Sequence, residues 1–358
     1  VQPPSGFQIG HANQNVTMSV GYSHACAILE NNTMTCWGNT VDGALGMYDG
    51  SPNSGFNTNY DPIWATAWPE NGVASVSAGY HITCAILTNA STYCLGDGTN
   101  GLLGNGEGDG TTGIERETIQ YVDFGPGRTA VAIDAAQLST SCALLDNGDV
   151  ACWGQWADPS NTYANEPYVV DLQNRKAVGI GVGPSSGCAV LEDGGVMCWG
   201  DNTAGELGTG TGNYEATPVN ATIWQGHDVV GISVGEYYNC ALLRNGSVAC
   251  GSFSLDNWVG LPAGKTAISV SISEYQQGCV LLSDRSLHCW GYPSSVGNQS
   301  ASGIVSMSNP IPVNISSDLD VLAVDVPVMT STAGYTVCAL LSNTEIKCWG
   351  ANTNALLG

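Results

Sequence analysis

Short apolar runs alternate with small polar residues along the whole chain, and no long stretch keeps a helical period. The runs have the alternation and the length of β-strands, as at 76–79 (VSAG) and 232–235 (ISVG). Clusters of Gly, Asn, Asp and Ser separate the runs and are typical of turns. The pattern predicts an all-β protein that is built from many short strands.

The cysteines mark a repeated hairpin. Each of the 14 cysteines has a partner ten residues away, and an apolar run, a polar turn and a second strand-like run lie between the two. In the third copy, placing Cys142 opposite Cys152 leaves residues 146–148 as a three-residue loop with Gly148 in its left-handed position. The pairs are Cys26 with Cys36, Cys84 with Cys94, Cys142 with Cys152, Cys188 with Cys198, Cys240 with Cys250, Cys279 with Cys289 and Cys338 with Cys348.

This hairpin register predicts seven disulfides. Opposed residues in a non-hydrogen-bonded antiparallel pair lie about 4.5 Å apart at Cα, and a disulfide accepts roughly 4.4–6.8 Å. Metal binding is the alternative, but a ten-residue spacing lacks a Cys-x-x-Cys knuckle and regular His partners. Because disulfides persist in oxidising compartments, we expect a secreted or cell-surface, extracellular protein.

The repeat continues beyond each hairpin. Five of the second cysteines precede Trp-Gly, and a Gly-, Asn- and Asp-rich loop then leads to Leu-Gly in several copies. A Pro often begins the next strand, as at 217–219 (TPV), and the first cysteines are on average 52 residues apart. Seven repeats of about four strands predict a seven-bladed β-propeller with four-stranded blades and one disulfide in each blade.

These motifs resemble the repeats of the regulator of chromosome condensation family. The resemblance is strongest over 21–46, 79–104 and 183–208. It implies a seven-bladed propeller, an architecture that a secreted propeller-type β-lactamase inhibitor shares. The nuclear founder of the family binds a small GTPase and nucleosomes. This chain has paired cysteines, a net charge of −23 and no basic tail, so exchange-factor activity is not expected, and it looks like a secreted, cysteine-paired form of the repeat.

The two ends of the chain complement each other in this scheme. The chain stops at Leu357-Gly358, where an outer strand should follow, and residues 1–21 parallel 217–235. We therefore expect residues 1–20 to complete the seventh blade and residues 1–358 to form one propeller domain without an exposed sheet edge. The N-terminal strand could instead complete the blade of a neighbouring molecule. The start at Val1 indicates a processed product or an excised domain.

Charge excludes several classes of partner. The chain has 31 acidic and 8 basic side chains, which argues against nucleic acid and against an anionic membrane surface, since both need clustered Lys and Arg. No apolar run approaches the roughly 18 residues of a membrane span. Only 11% of the residues are charged, so uncharged polar groups or glycans must keep the protein surface hydrated.

Seven Asn-x-Ser/Thr sequons supply candidate glycosylation sites. Three of them fall in the turns of the disulfide hairpins, and the alternative interpretation is that these Asn residues only form turns. N-linked glycans would explain how a surface with little charge stays soluble. The sequons are at Asn15, Asn31, Asn89, Asn220, Asn245, Asn298 and Asn314.

Catalytic and cofactor sites find little support. His24 and His81 occupy the same repeat position, which favours a structural role, and no nucleophile–base constellation appears. We expect no enzyme activity and no cofactor. The oxygen-rich loops 97–101 and 106–110 would suit Ca²⁺, but repeat-loop geometry is the better account. The tryptophans between the hairpins could pack between blades or form an aromatic platform; they are Trp64, Trp68, Trp156, Trp224 and Trp258.

Two functional hypotheses remain. The first is a non-catalytic structural or adhesive unit of a surface or filamentous assembly, which contacts protein partners or copies of itself. The second is a soluble binding module, either an enzyme inhibitor or a carbohydrate-binding protein.

Overall fold

The structure is a computed structural model. It describes residues 18–39, 43–46, 58–65, 67–69, 72–106, 115–135, 140–155, 163–252, 257–273, 277–294, 296–297, 303–315, 319–327, 336–350 and 357. Side chains are not described at 58–64 and 115–118.

Within these residues, 27 short strands form seven antiparallel sheets, the blades of a β-propeller. Blades one to six have four strands each, and blade seven has three. In blade order the strands are β1 (Met18–Val20), β2 (His24–Ile28), β3 (Met34–Asn39), β4 (Thr58–Trp64); β5 (Val73–Ala78), β6 (Ile82–Leu87), β7 (Thr92–Asp97), β8 (Glu115–Val122); β9 (Ala130–Asp134), β10 (Thr140–Leu145), β11 (Val150–Gln155), β12 (Tyr163–Val169); β13 (Ala177–Val182), β14 (Ser186–Leu191), β15 (Val196–Gly200), β16 (Glu215–Asn220); β17 (Val229–Val234), β18 (Asn239–Leu243), β19 (Val248–Gly251), β20 (Asn257–Trp258); β21 (Ala267–Ile272), β22 (Gly278–Leu282), β23 (Leu287–Trp290), β24 (Ile311–Pro312); and β25 (Val321–Asp325), β26 (Thr336–Leu341), β27 (Ile346–Gly350).

Each blade is a meander whose strands follow chain order from the innermost strand outward. Because neighbouring strands are antiparallel, the connections of a blade emerge at its two ends alternately. We call one side of the ring the hairpin face; it holds the turns between second and third strands and the connections to the next blade. The other side, the loop face, holds the connections between first and second and between third and fourth strands.

The predicted hairpin is confirmed. Cys142 pairs in register with Cys152, and Gly148 has a φ of 80°. The same in-register pairing of the two cysteines recurs in the other six blades. The turn between the two middle strands therefore has the same length in every blade.

All seven predicted disulfides are present, with Cα–Cα distances of 4.0–4.1 Å. Thirteen of the 14 cysteines are at most 1% exposed, and Cys348 is half-buried. Each disulfide joins the two middle strands of a blade, and six of the seven are buried on both sides. The bonds are Cys26 to Cys36, Cys84 to Cys94, Cys142 to Cys152, Cys188 to Cys198, Cys240 to Cys250, Cys279 to Cys289 and Cys338 to Cys348.

A side-chain hydrogen bond shapes each hairpin turn. Five residues after the first cysteine, an Asn or Asp oxygen accepts the backbone N–H two residues later, and the intervening residue has a positive φ. This Asx turn recurs in all seven blades, so the turn does not depend on Gly. The Asx residues are Asn31, Asn89, Asn147, Asp193, Asn245, Asp284 and Asn343.

The apolar core lies between the blades. Trp37, Trp153, Trp199 and Trp290, which follow second cysteines, are at most 5% exposed, so the Trp-Gly motif is a packing motif. Trp153 also donates its Nε1–H to the backbone oxygen of Leu102 in the preceding blade, at 2.8 Å. The loop of one blade is thus fixed to the sheet of the next.

A ring of hydrogen bonds joins the innermost strands. In six blades a side-chain oxygen accepts the N–H of a residue in the next blade, and each accepting residue lies opposite the first cysteine of its own blade. The bonds are Val20 N to Asp325 Oδ2 (2.7 Å), Ala78 N to Ser19 Oγ (3.0 Å), Ala135 N to Ser77 Oγ (2.9 Å), Val182 N to Asp134 Oδ2 (2.8 Å), Ile272 N to Ser233 Oγ (3.1 Å) and Val326 N to Ser271 Oγ (3.0 Å).

The remaining junction, from blade four to blade five, is closed by packing. Gly181 occupies the equivalent position opposite Cys188. A Cβ on this glycine would meet Val234 Cγ2 at 2.9 Å, so the two strands approach more closely than a side chain would allow.

The seventh blade only partly tests the expected closure. Met18–Val20, the end of the segment 1–20, forms the innermost strand of blade one and not part of blade seven. Residues 1–17 lie outside the described residues, so the completion of blade seven by the N-terminal segment stays a prediction. In the described structure β27 is an edge, and Trp349 on it is half-buried.

We expect the bond between the two ends of the chain to contribute measurably to stability. Asp325→Ala leaves the buried N–H of Val20 without its acceptor, which costs about 1–3 kcal/mol of unfolding free energy. Asp325→Asn keeps an acceptor oxygen and serves as the control. Denaturant unfolding followed by tryptophan fluorescence measures the difference. An Ala variant as stable as the Asn variant would contradict the role of this bond.

Candidate functional site

The hairpin face carries nearly all the positive charge. Seven of the eight Lys and Arg residues lie there, and Arg116, on β8, has an undescribed side chain. All four ion pairs found among the described residues lie on this face, including Lys265 Nζ to Asp284 Oδ2 at 2.5 Å, which lowers the pKa of Asp284 to about 2. The other pairs are Arg175–Asp193 (2.7 Å), Lys176–Asp149 (2.7 Å) and Arg244–Asp228 (2.6 Å).

The five sequons within the described residues also lie on the hairpin face. All five asparagines are exposed; they are Asn31, Asn89, Asn220, Asn245 and Asn314. Three of them form Asx turns, through which the side-chain oxygen accepts a backbone N–H at 2.9–3.1 Å. A glycan attaches to the side-chain nitrogen, so turn formation and glycosylation are compatible. Asn15 and Asn298 lie outside the described residues.

A polar groove of about 750 Å³ lies on this face between blades four and five. Arg175 lines it and donates both to Asp193 and to the Oδ1 of Asn220, the latter at 2.8 Å. His227, also in the lining, stacks edge-on against Trp258 with ring centroids 5.8 Å apart. Charged, amide and aromatic groups thus converge around one groove.

The predicted inter-hairpin tryptophans divide between core and surface. Trp68 and Trp224 are buried, with exposures of 4% and 1%, so they pack between elements of the fold. Trp258 is 46% exposed, so among the three of these tryptophans with described side chains it is the one that a ligand can reach. The side chain of Trp64 and all of Trp156 lie outside the described part of the chain.

The loop face is rich in tyrosine. Tyr22 and Tyr80 stack with ring centroids 4.3 Å apart across the junction of blades one and two. Tyr214, Tyr237 and Tyr292 are 48%, 40% and 40% exposed. Tyrosine combines a large apolar ring with a polar tip and is enriched at protein interfaces.

Carboxylates accompany the tyrosines between blades four and five. Glu206 is 3% exposed, and its Oε2 accepts the N–H of Ala204 at 2.9 Å. Burial raises the pKa of Glu206, and the negative charges of Asp201 and Glu236 raise it further. Burial and the charge of Asp201 likewise raise the pKa of Tyr214. The charges of these groups therefore interact with one another.

The histidine geometry supports a structural role. His24 is fully buried, and its Nε2 lies 2.7 Å from Thr83 Oγ1. That hydroxyl donates to the backbone oxygen of Ala44, so the imidazole Nε2–H is the donor to it. Burial, with the neighbouring His81, lowers the pKa of His24 to about 3, so it stays neutral at ordinary pH. It links two blades.

The structure allows the expectations about metals and membranes to be examined only in the described residues. There, no three His, Cys, Asp or Glu side chains are grouped to hold a metal ion. In loop 97–101, Asp97 Oδ1 accepts the N–H of Thr99 at 2.8 Å, which is loop geometry; of 106–110 only Gly106 is described. Among the same residues, no helix has the length and apolar character to cross a bilayer.

Sequence reasoning missed the separation of the two faces. The five described sequon asparagines and seven of the basic residues are scattered along the chain, and they come to one face only because the meander places alternate connections at the same end of each blade. The sequence did contain a signal for this arrangement. A residue that lies five positions after a first cysteine falls in the turn between the second and third strands, and that turn is always on the hairpin face.

Comparisons with known proteins support an RCC1-like propeller. Two models of the regulator of chromosome condensation (RCC1) repeat match the sequence, one at 193–242 and the other at 16–44 and 177–206. The human E3 ubiquitin-protein ligase HERC2 is 27% identical over 234 residues, which are 63% of this chain. The chain spans only 5% of the length of that relative.

Solved structures share the fold at low sequence identity. Yeast RCC1 (Prp20), in its complex with Kap60, is similar with a TM-score of 0.75 and 18% identity, over 100% of this chain and 86% of that one. The ectodomain of the Physcomitrella patens receptor kinase CR4 has a TM-score of 0.56 and 19% identity, over 96% and 75%. At these identities the similarity establishes the fold alone.

The buried carboxyl group of Glu206 gives a pH-dependent prediction. Since its folded pKa lies above the ordinary value of 4.5, its ionisation opposes folding once the pH exceeds that value. Glu206→Gln removes this penalty and keeps an acceptor for Ala204. We expect the variant to be more stable than the parent at pH 7, and the gain to vanish as the pH falls below 4.5. Unfolding curves across this pH range measure it; a gain that is constant with pH would contradict the account.

Proposed function

We propose that this protein is a non-catalytic, extracellular, N-glycosylated propeller that acts as a structural or adhesive unit of a surface or filamentous assembly through protein–protein contacts. The observation that carries the proposal is the combination of one disulfide in every blade with five described, exposed sequon asparagines on a single face. A disulfide set of this kind suits an oxidising compartment.

The low content of charge supports the glycosylated state. Only 11% of the residues are charged, and seven of the eight basic residues lie on the hairpin face. Glycans at the five described sequons would hydrate that face and discourage contacts through it. Contacts with partners or with further copies would then use the loop face or the rim.

The similar proteins support protein binding in general terms. Yeast RCC1 (Prp20) has been solved in complex with Kap60, and the structure of Prp20p from Saccharomyces cerevisiae is described together with its binding to Gsp1p and histones. The ectodomain of a plant receptor kinase has the same fold. The net charge of −23 and the paired cysteines argue against transferring the nuclear role to this chain.

Secretory expression tests the proposal. We expect peptide mass spectrometry to find glycans at the described sequons, and light scattering of the native material to show particles larger than one chain. Ser247→Ala removes the sequon at Asn245 but keeps the Asx turn, which uses the backbone N–H of residue 247, and is the matched control. Empty sequons, or a strict monomer at high concentration, would refute the corresponding part of the proposal.

The second candidate is a soluble carbohydrate-binding or inhibitor-like module, and the polar groove on the hairpin face favours it. Trp258 offers a platform for stacking, and Arg175 offers donors. On a glycan array, Arg175→Ala and Trp258→Ala should each remove a signal that Tyr121→Ala, a change at an exposed aromatic residue elsewhere, leaves intact. A parent protein that binds no glycan would exclude the carbohydrate form.

A further inference from the structure

One sequon asparagine differs from the others in its surroundings. Asn220, the last residue of β16, lines the polar groove between blades four and five. The side-chain oxygens of Asn31, Asn89 and Asn245 accept N–H groups within their own turns. The oxygen of Asn220 instead accepts from the guanidinium group of Arg175, 45 residues earlier, at 2.8 Å. A glycan on Asn220 would therefore start at the wall of a groove and not at the tip of a turn.

This hydrogen bond fixes the amide group of Asn220 through its oxygen. Because an arginine only donates, its partner on Asn220 is Oδ1. The nitrogen Nδ2 is the atom that carries an N-linked glycan, and the bond to Arg175 does not occupy it. Arg175 is itself held by Asp193, whose two carboxylate oxygens lie 2.8 and 2.7 Å from Nη2. The amide is thus oriented in advance, which limits the entropy that is lost when an attached sugar packs beside it.

The charges that line the groove are neutralised by ion pairs. The lining includes one Arg and two Asp side chains. Arg175 pairs with Asp193 at 2.7 Å, and Asp228 pairs with Arg244 at 2.6 Å. A groove of this kind favours an uncharged polar ligand over an ion. A sugar is such a ligand, because its hydroxyl and acetamide groups can bond to further donors and acceptors of these paired side chains.

The size of the groove and its aromatic wall also fit the start of a glycan. Its volume of about 750 Å³ lies within the range of roughly 300–1,000 Å³ of sites that hold small organic ligands, and two sugar rings are of that size. His227 lines the groove and stacks edge-on against Trp258, which is 46% exposed. An exposed aromatic ring beside polar groups is a surface on which the apolar face of a sugar packs.

The groove lies at the junction that lacks the hydrogen bond of the other six. Gly181 has no side-chain oxygen to offer blade five, and the two blades meet there by packing. Asn220 lies on β16 of blade four, and Trp258 lies on β20 of blade five. A glycan that runs from Asn220 to Trp258 would therefore touch both blades at a junction without a ring bond at the axis.

We propose that the groove between blades four and five holds the first sugars of a glycan that is carried by Asn220 of the same chain. The inference deepens, and rests on, the glycosylated state proposed above. It gives the groove a covalently attached occupant, so the groove is then closed to the external sugar of the second candidate function.

Enzymatic release of the glycans from the native, unmutated protein tests the inference. Peptide N-glycosidase cuts between the asparagine and the first sugar and leaves an aspartate, which peptide mass spectrometry counts at each site when the reaction runs in heavy-oxygen water. We expect release at Asn220 to be slower than at Asn31, Asn89 and Asn245 by about tenfold or more, because the first sugars must leave the groove before the enzyme can reach the bond.

Denaturation separates the effect of the groove from that of the local sequence. The four release rates should converge once the protein is reduced and denatured. Equal rates in the native protein would overturn the inference. A difference that persists after denaturation would come from the sequence around Asn220 and would overturn it as well.

A pair of matched variants tests the groove residues. Arg175→Ala with Trp258→Ala should bring release at Asn220 to the rate of the sequons in the turns, since the variant lacks the hydrogen bond and the aromatic wall. The control, Lys265→Ala with Tyr121→Ala, also removes the cation of an ion pair and an exposed aromatic ring, but it should leave release slow. Release from the groove variant that is as slow as from the parent would contradict the inference.

Site occupancy distinguishes failure of this inference from failure of the proposed function. An unmodified Asn220 beside glycosylated Asn31, Asn89 and Asn245 removes only the inference. If all five described sequons are empty, the glycosylated state that is proposed above fails, and the inference fails with it.

Discussion

At six of the seven junctions around the axis of the propeller, a side-chain oxygen of one blade accepts a backbone N–H from the next blade. The partners are buried Ser or Asp side chains at 2.7–3.1 Å, and the last bond, from Val20 to Asp325, joins residues 305 positions apart. A buried N–H without an acceptor is costly, so at these six junctions one blade satisfies a group that its neighbour cannot satisfy alone. Closure of the ring between the two ends of the chain depends on this interaction.

Disulfides and inter-blade bonds act at different levels. A disulfide constrains only a short loop within one blade, and it stabilises the pairing of the two middle strands. The ring bonds and the buried tryptophans connect one blade to the next. Together they hold the seven blades in one ring with two unlike faces. The hairpin face carries the five described sequon asparagines and the four described ion pairs, whereas the loop face carries exposed tyrosines and carboxylates.

The sequence predicted what is local and repeated. The cysteine spacing determined the hairpin register, and the left-handed position of Gly148 followed from it. The cysteine spacing did not explain how Ala90 or Thr344 adopts the same positive φ as Gly148. The reason is that the hydrogen bond of the Asx turn comes from the side chain of the preceding residue. The ring could not be predicted, since Ser19 and Ser77 look like ordinary polar positions of alternating strands until neighbouring blades are placed side by side.

Amide hydrogen exchange tests the ring most directly. The amides of Val20, Ala78, Ala135, Val182, Ile272 and Val326 should exchange only through global unfolding, at the same slow limit as the disulfide-bearing strands. In particular, Val20 should be as protected as Val182, although it bridges the two ends of the chain. Rapid exchange at Val20 and Val326, with protection kept in the other blades, would show that blade seven opens independently and would contradict a ring closed by Asp325.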